Sequence, residues 1–191
     1  GPFQGQDYGV ARACLEAGMH YIDLADGRDF VRDFPAQLDA VARRHGRSAI
    51  SGASTLPALS GAVVDALRGR FDVLQSIDIV IAPAQATPLG MATVRAVLSY
   101  CGQPFGCWID GRWQAVVGWA DPQPVTFARI APRLASPCDV PDHDLLVQRH
   151  PGVSTVRFRA ALELPLLSRC LAALAWLRHR GVPLPMAALA G

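Results

Sequence analysis

Residues 19–54, MHYIDLADGRDFVRDFPAQLDAVARRHGRSAISGAS, decide the reading of the fold. MHYIDLAD reads as a short strand that closes on two acids, Asp23 and Asp26. RDFVRDFPAQLDAVARRHG then changes to helical period, with Phe30, Phe34, Leu38 and Val41 on one face, Gly46 as the stop and Pro35 as a point where the helix would kink or split. RSAISGAS returns to a short buried strand ending in a Gly-Ala-Ser turn. Strand, helix and strand in this succession form the repeating unit of a parallel sheet with helices packed on it.

Upstream, GPFQGQDYGVARACLEAG (residues 1–18) is a Gly-Pro-Phe turn running into a helix with Val10, Ala13, Cys14 and Ala17 at helical spacing and a stop at Gly18. Such a turn ends a strand, and no strand precedes it; Gly1-Pro2 is also the pair a cleaved tag leaves behind. Downstream, LPALSGAVVDALRGRF is a third helix, with Leu59, Val63, Ala66 and Leu67 sharing a face. Residues 1–70 are therefore expected to be the C-terminal half of a Rossmann-type parallel α/β sheet.

Beyond Phe71 the pattern changes. DVLQSIDIVIAPA is a long β-branched strand, LGMATVRAVLSYCG a helix, and FGCWIDGRWQAVVGWA a hairpin turning at Asp110-Gly111. A proline-rich connection leads to the strand VSTVRFRAALE, so residues 71–191 are expected to be a separate α+β substrate or dimerisation domain, with the boundary near Arg70. The Leu-rich last helix carries Leu164, Leu167, Leu171, Leu174 and Leu177. Glu163, Pro165 and Arg169 interrupt the roughly 20 apolar residues a membrane span needs, which favours a buried or dimer-forming helix.

Composition removes several function classes. The 18 basic residues are all arginine, so Schiff-base, pyridoxal-phosphate and P-loop lysine chemistry are excluded. A net charge of +2 gives no field able to collect nucleic acid. The five cysteines and five histidines are scattered, without metal-ligand or disulfide spacing, and imply a reduced, cytoplasmic setting with no metal.

Ligands of open α/β sheets bind at the carboxyl ends of the strands. Three such ends are readable: Gly1-Pro2-Phe3, Asp23 to Gly27, and Gly52-Ala53-Ser54. Their small residues let a ring or a phosphate approach the backbone, or merely make tight turns. Asp26 or Asp29 is equally suited to capping the following helix. No G-x-S-x-G elbow and no G-x-G-x-x-G loop occurs in the chain.

Four stretches together, GPFQGQDYGVARACLEAGMHYIDLAD, SGASTLPALSGAVVDAL, GMATVRAVLSYCGQPFGCWIDGRW and CDVPDHDLLVQRHPGVSTVRFRAALEL, resemble bacterial proteins of the saccharopine dehydrogenase (saccharopine reductase-like) family. The resemblance implies an NAD(P)-binding Rossmann domain followed by an α+β domain that covers the nicotinamide and forms a homodimer. It implies hydride transfer to or from a C=N or C=O bond of a small substrate, with NADP or NAD as cofactor. By the same resemblance Gly1, Pro2, Phe3 and Gly5 line the nicotinamide-ribose side, Tyr21 and Asp23 close the next strand end, and Gly52, Ala53 and Ser54 lie near the substrate mouth. Gly1 and Pro2 then belong to the native chain. The first strands and the glycine-rich phosphate loop are missing from the pattern, so the chain alone is expected to be an inactive fragment. Tyr21, Asp26 and His143 are the candidate proton donors; Arg112, Arg157 and Arg159 could hold a carboxylate, and Arg157 and Arg159, alternating with Val156 and Phe158, could instead form the solvated face of a strand. A non-catalytic scaffold that keeps the fold, docking a partner through its last helix, is the alternative function.

Overall fold

The computed structural model describes residues 2–84 and 90–184; Gly1 lies outside the described residues. The structure is mixed α/β and divides into two compact units. Residues 1–73 and Val140–Arg149 form one, residues 74–139 and 150–191 the other, so the division falls just past the expected Arg70 and a segment of the expected second domain returns to the first.

In the first unit α1 (Gly9–Glu16) leads to β1 (Tyr21–Ile22), α2 (Arg28–His45) to β2 (Ala49–Ile50), and a kinked turn at Thr55–Leu59 to α3 (Ser60–Arg68). β1 and β2 pair in parallel, Tyr21 with Ala49 and Ile22 with Ile50. The expected half of a parallel sheet is thus present as a two-residue pair only, because the polar Asp23 and Ser51 end both strands after one ladder step.

α2 runs unbroken through Pro35, whose ring lies on the solvent side, and Phe30, Phe34, Leu38 and Val41 are buried on its inner face as their spacing requires. Gly46, left-handed at φ 59°, ends it. Neither Asp26 nor Asp29 caps its start: the N-cap is Gly27, where a Cβ would stand 3.1 Å from the Phe3 carbonyl carbon, and Asp29 pairs with Arg32 instead. The core joins this face to Ala11 and Leu15 of α1 and to Ala25, with Phe3, Tyr8, Tyr21 and Leu145 packed around it.

α5 (Asp142–Arg149) completes the unit. The Arg28 guanidinium donates both Nε and Nη2 to the Asp144 carboxylate at 2.6 Å, Arg149 pairs with Asp65 of α3, and the Ser60 hydroxyl donates to the buried Asp142 carboxylate. Two apolar faces of the unit remain open. Ile22, Leu24 and Ile50 are exposed by 65%, 65% and 51%, and Leu59 just before α3 and Val63 and Leu67 within it are also exposed rather than seated in the core.

In the second unit β3 (Ser76–Ile81) pairs in parallel with β8 (Thr155–Ala161), and the remaining ladders are antiparallel: β4 (Pro104–Ile109), β5 (Arg112–Val117), β6 (Gln123–Val125) and β7 (Arg133–Pro137) give the order β5-β4-β8-β7-β6. The hairpin turns at Asp110-Gly111, with φ of 52° and 73°, the left-handed pair that a two-residue hairpin turn requires. Ile77, Val156 and Phe158 are buried on one face of the sheet. Its helices are α4 (Met91–Tyr100) and α6 (Pro165–His179). Arg178 of α6 donates to the carbonyls of Leu98, Ser99 and Cys101 at 2.9, 3.1 and 2.8 Å, capping the C-terminus of α4 with a cation. The deepest positions of α6 are Ser168 and Ala175 rather than its leucines. No helix among the described residues is long and apolar enough to cross a membrane.

Candidate functional site at the carboxyl ends of β1 and β2

Asp23 organises the site. β1 ends one residue before it, so its side chain turns back across the mouth of the parallel pair, where its Oδ1 accepts from three donors: the Ala25 N–H at 3.0 Å, the Ser51 hydroxyl at 2.9 Å and the Gly52 N–H at 2.8 Å. Its backbone carbonyl accepts the Ala53 N–H at 2.9 Å, so the loops after β1 and β2 are stitched together through one residue. The carboxylate is 8% exposed, and its Oδ2 is buried with no hydrogen-bond donor among the described residues.

Tyr21 lies beside this carboxylate. Burial, with the Asp23 charge and a hydrogen bond to Asp23 next, pushes the phenol up to about 12, so it keeps its proton throughout the neutral range.

The N-terminal loop joins the other two. The Phe3 ring packs on Phe30 at 5.2 Å, and Gly27 lets the backbone of Phe3 and Gln4 pass within 3.1–3.3 Å of where a Cβ would be. Tyr8 stacks on the same ring at 4.7 Å and donates its hydroxyl to the Phe30 carbonyl. Gly5 is exposed and left-handed at φ 77°, with open space where a Cβ would sit.

The glycine at 52 has a different reason. It is also left-handed, at φ 77°, but a Cβ there would stand 2.6 Å from Pro57 Cδ. Close packing of its own loop demands this glycine, and the Ser54 hydroxyl, which donates to the Leu56 carbonyl at 2.6 Å, fixes the same turn.

Phe3, Gly5, Asp23, Gly52, Ala53 and Ser54 therefore fall on three loops that meet at one end of the parallel pair, with Pro2 at the start of the first, while Tyr21 sits within β1 at its first residue. The other candidates fall elsewhere. His143 is fully buried at the start of α5, and Asp26 is half-buried in the loop after β1. In the second unit Arg112 and Arg157 are exposed and Arg159 pairs with Asp78 at 2.7 Å, which makes a solvated face.

Sequence reasoning missed Asp142. It is 1% exposed, its Oδ1 accepts from Ser60, its Oδ2 has no donor among the described residues, and burial pushes its carboxyl above the usual range. No local pattern marks it, since Ser60 lies 82 residues away in sequence. The thiols of Cys101 and Cys138 are pushed by burial to about 11 and about 12, which leaves them unreactive; only Cys170 is exposed.

No family model matches the chain, and no curated protein matches it.

Proposed function

We propose that the first unit is the nicotinamide-side half of a Rossmann-type domain, and that the protein is an NAD(P)-dependent oxidoreductase of the saccharopine dehydrogenase type, acting on a C=N or C=O bond of a small substrate. The observation that carries this reading is the convergence of three loops at the carboxyl ends of a parallel pair, organised by the buried Asp23 carboxylate.

The open apolar face of β1 and β2 supports it. α1 and α2 pack together over one side of the pair, while Ile22, Leu24 and Ile50 point to the other and stay exposed. A doubly wound sheet has helices on both faces, and three aliphatic side chains in a row ask for such a layer. The homodimer expected of the second unit and a cytoplasmic setting belong to the same proposal.

The residues fit the nicotinamide half of the cofactor. The buried Asp23 Oδ2 is an acceptor for a ribose hydroxyl or an amide N–H, and Gly5 leaves room for a ring to approach the backbone. For the diphosphate half the chain offers no G-x-G-x-x-G loop. When bound, the nicotinamide supplies the hydride. Asp23 orients it, and Tyr21 donates a hydrogen bond without losing its proton.

Saturation-transfer NMR with NADH and NADPH tests the proposal on this chain. Transfer concentrated on nicotinamide and ribose protons is expected. Transfer to adenine alone, or none at millimolar cofactor, overturns it.

A further inference from the structure

Residues Val140–Arg149 interrupt the stretch of chain that builds the second unit and belong to the first. Their helix, α5, packs against α2, α3 and the kinked turn before α3. Leu146 is buried, Leu145 packs on the core, and two ion pairs tie the helix down, Asp144 to Arg28 of α2 and Arg149 to Asp65 of α3.

The third polar contact is of another kind. Asp142, the first residue of α5, is 1% exposed. Its Oδ1 accepts from the Ser60 hydroxyl, and its Oδ2 meets no donor among the described residues. A carboxyl buried in this way needs a cation or several donors to stay ionised. The arginines of the packed elements are engaged elsewhere: Arg28 gives two N–H groups to Asp144, Arg149 gives two to Asp65, and Arg68 of α3 donates to the Phe71 carbonyl. The turn at Thr55–Leu59 carries no titratable side chain. His143 is buried beside Asp142 on the same helix, yet no charged group is among the influences on the Asp142 carboxyl. They are burial first, then the hydrogen bonds from Ser60 and from the Asp142 N–H. Those two bonds and the start of a helix favour the anion, and burial outweighs them.

Ser60 sharpens the balance. Its hydroxyl carries one hydrogen and reaches two acceptors, Asp142 Oδ1 and the Pro57 carbonyl at 3.0 Å. An ionised Asp142 would draw that hydrogen to itself and still leave a buried negative oxygen without a donor. A neutral Asp142 carries its own proton on Oδ2 and lets Ser60 serve Pro57 as well, the residue whose ring leaves no room for a Cβ at Gly52.

We infer that Asp142 is a proton-controlled latch for α5: the docked helix holds its carboxyl as the neutral acid, with the proton on Oδ2, and losing that proton weakens the hold of α5 on α3 and the turn. The sign follows from linkage. A released Asp142 is an ordinary solvated carboxyl, so docking is supported in full below the released value and the support is lost as pH rises through the docked one.

Amide hydrogen exchange of the whole chain, read by NMR from about pH 5 to about pH 8 and corrected for the intrinsic rate, tests the latch. The α5 amides are expected to be less protected than those of Val41 and Ala42 in α2, and their protection to fall severalfold as pH rises. Asp142→Asn, of the same size and never charged, is expected to keep α5 protection constant over that range. Protection of α5 equal to that of α2 would mean that the helix leaves only when the unit unfolds, and overturns the latch. A fall that persists in Asp142→Asn belongs to another group and overturns it as well. The wild type supplies a readout that needs no variant: the Asp142 carboxyl carbon resonance is expected to titrate above the roughly 3.9 of an unfolded aspartate, and a midpoint at or below that value overturns the neutral acid.

Discussion

Gly52→Ala tests the reason given for the most constrained residue of the candidate site. Its φ of 77° costs an alanine about 1–2 kcal/mol of backbone strain. The added methyl would stand 2.6 Å from Pro57 Cδ and 3.0 Å from Cγ, a ring atom of a rigid side chain that cannot swing aside, and overpacking of this kind costs about 1–3 kcal/mol. Reduced freedom of the unfolded chain returns about 0.4–1 kcal/mol. The net loss is roughly 2–4 kcal/mol, confined to the first unit. Gly5→Ala is the matched control: it has the same φ and nothing within 4 Å, so it bears the strain alone and should lose about 1 kcal/mol. The assay is built into the sequence, because Trp108, Trp113, Trp119 and Trp176 all lie in the second unit. Urea unfolding followed by tryptophan fluorescence therefore reports that unit, and far-ultraviolet circular dichroism adds α1, α2, α3 and α5 of the first. Gly52→Ala should shift the dichroism transition and leave the fluorescence transition in place. Equal losses for Gly52→Ala and Gly5→Ala would refute the contact with Pro57 as the cause.

Other outcomes follow from single buried groups. Asp23→Ala removes the acceptor from the buried Ala25 and Gly52 N–H groups and should cost the first unit about 2–5 kcal/mol in urea unfolding, a loss below 1 kcal/mol meaning that the loops hold without it. Asp142 has its carboxyl raised by burial above its value of 3.8 in the unfolded chain, so its protonated form favours folding below that pH and the benefit is lost as pH rises through the folded value. Asp142→Asn should consequently gain on wild type in urea midpoint between pH 4 and pH 7, and a pH-independent difference would exclude the effect. Arg178→Ala uncaps the carbonyls of Leu98, Ser99 and Cys101 and should lower the tryptophan-detected midpoint of the second unit by about 1–3 kcal/mol, whereas an unchanged midpoint would show that water replaces the guanidinium at no cost.

Local pattern made α2, β8 and the β4–β5 hairpin legible, whereas β6, β7 and α5 lie in the stretch that reads as a proline-rich connection. The periods of α2, β8 and the β4–β5 hairpin are carried by side chains within a few residues of one another, and the stops at Gly46 and Asp110-Gly111 by backbone conformations that few residues adopt. The ends of β1 and β2 were legible for the same reason, since Gly, Asp and Ser cluster where chain direction changes. Tertiary packing between distant partners decided the rest. It shortened the parallel pair to two residues per strand, returned α5 to the first unit through Arg28 and Ser60, buried Asp142, and gave Gly52 a packing role through Pro57. It also turned the inward face of α6 to Ser168 and Ala175 and left Leu166 outside, a choice of face that leucine spacing alone does not make.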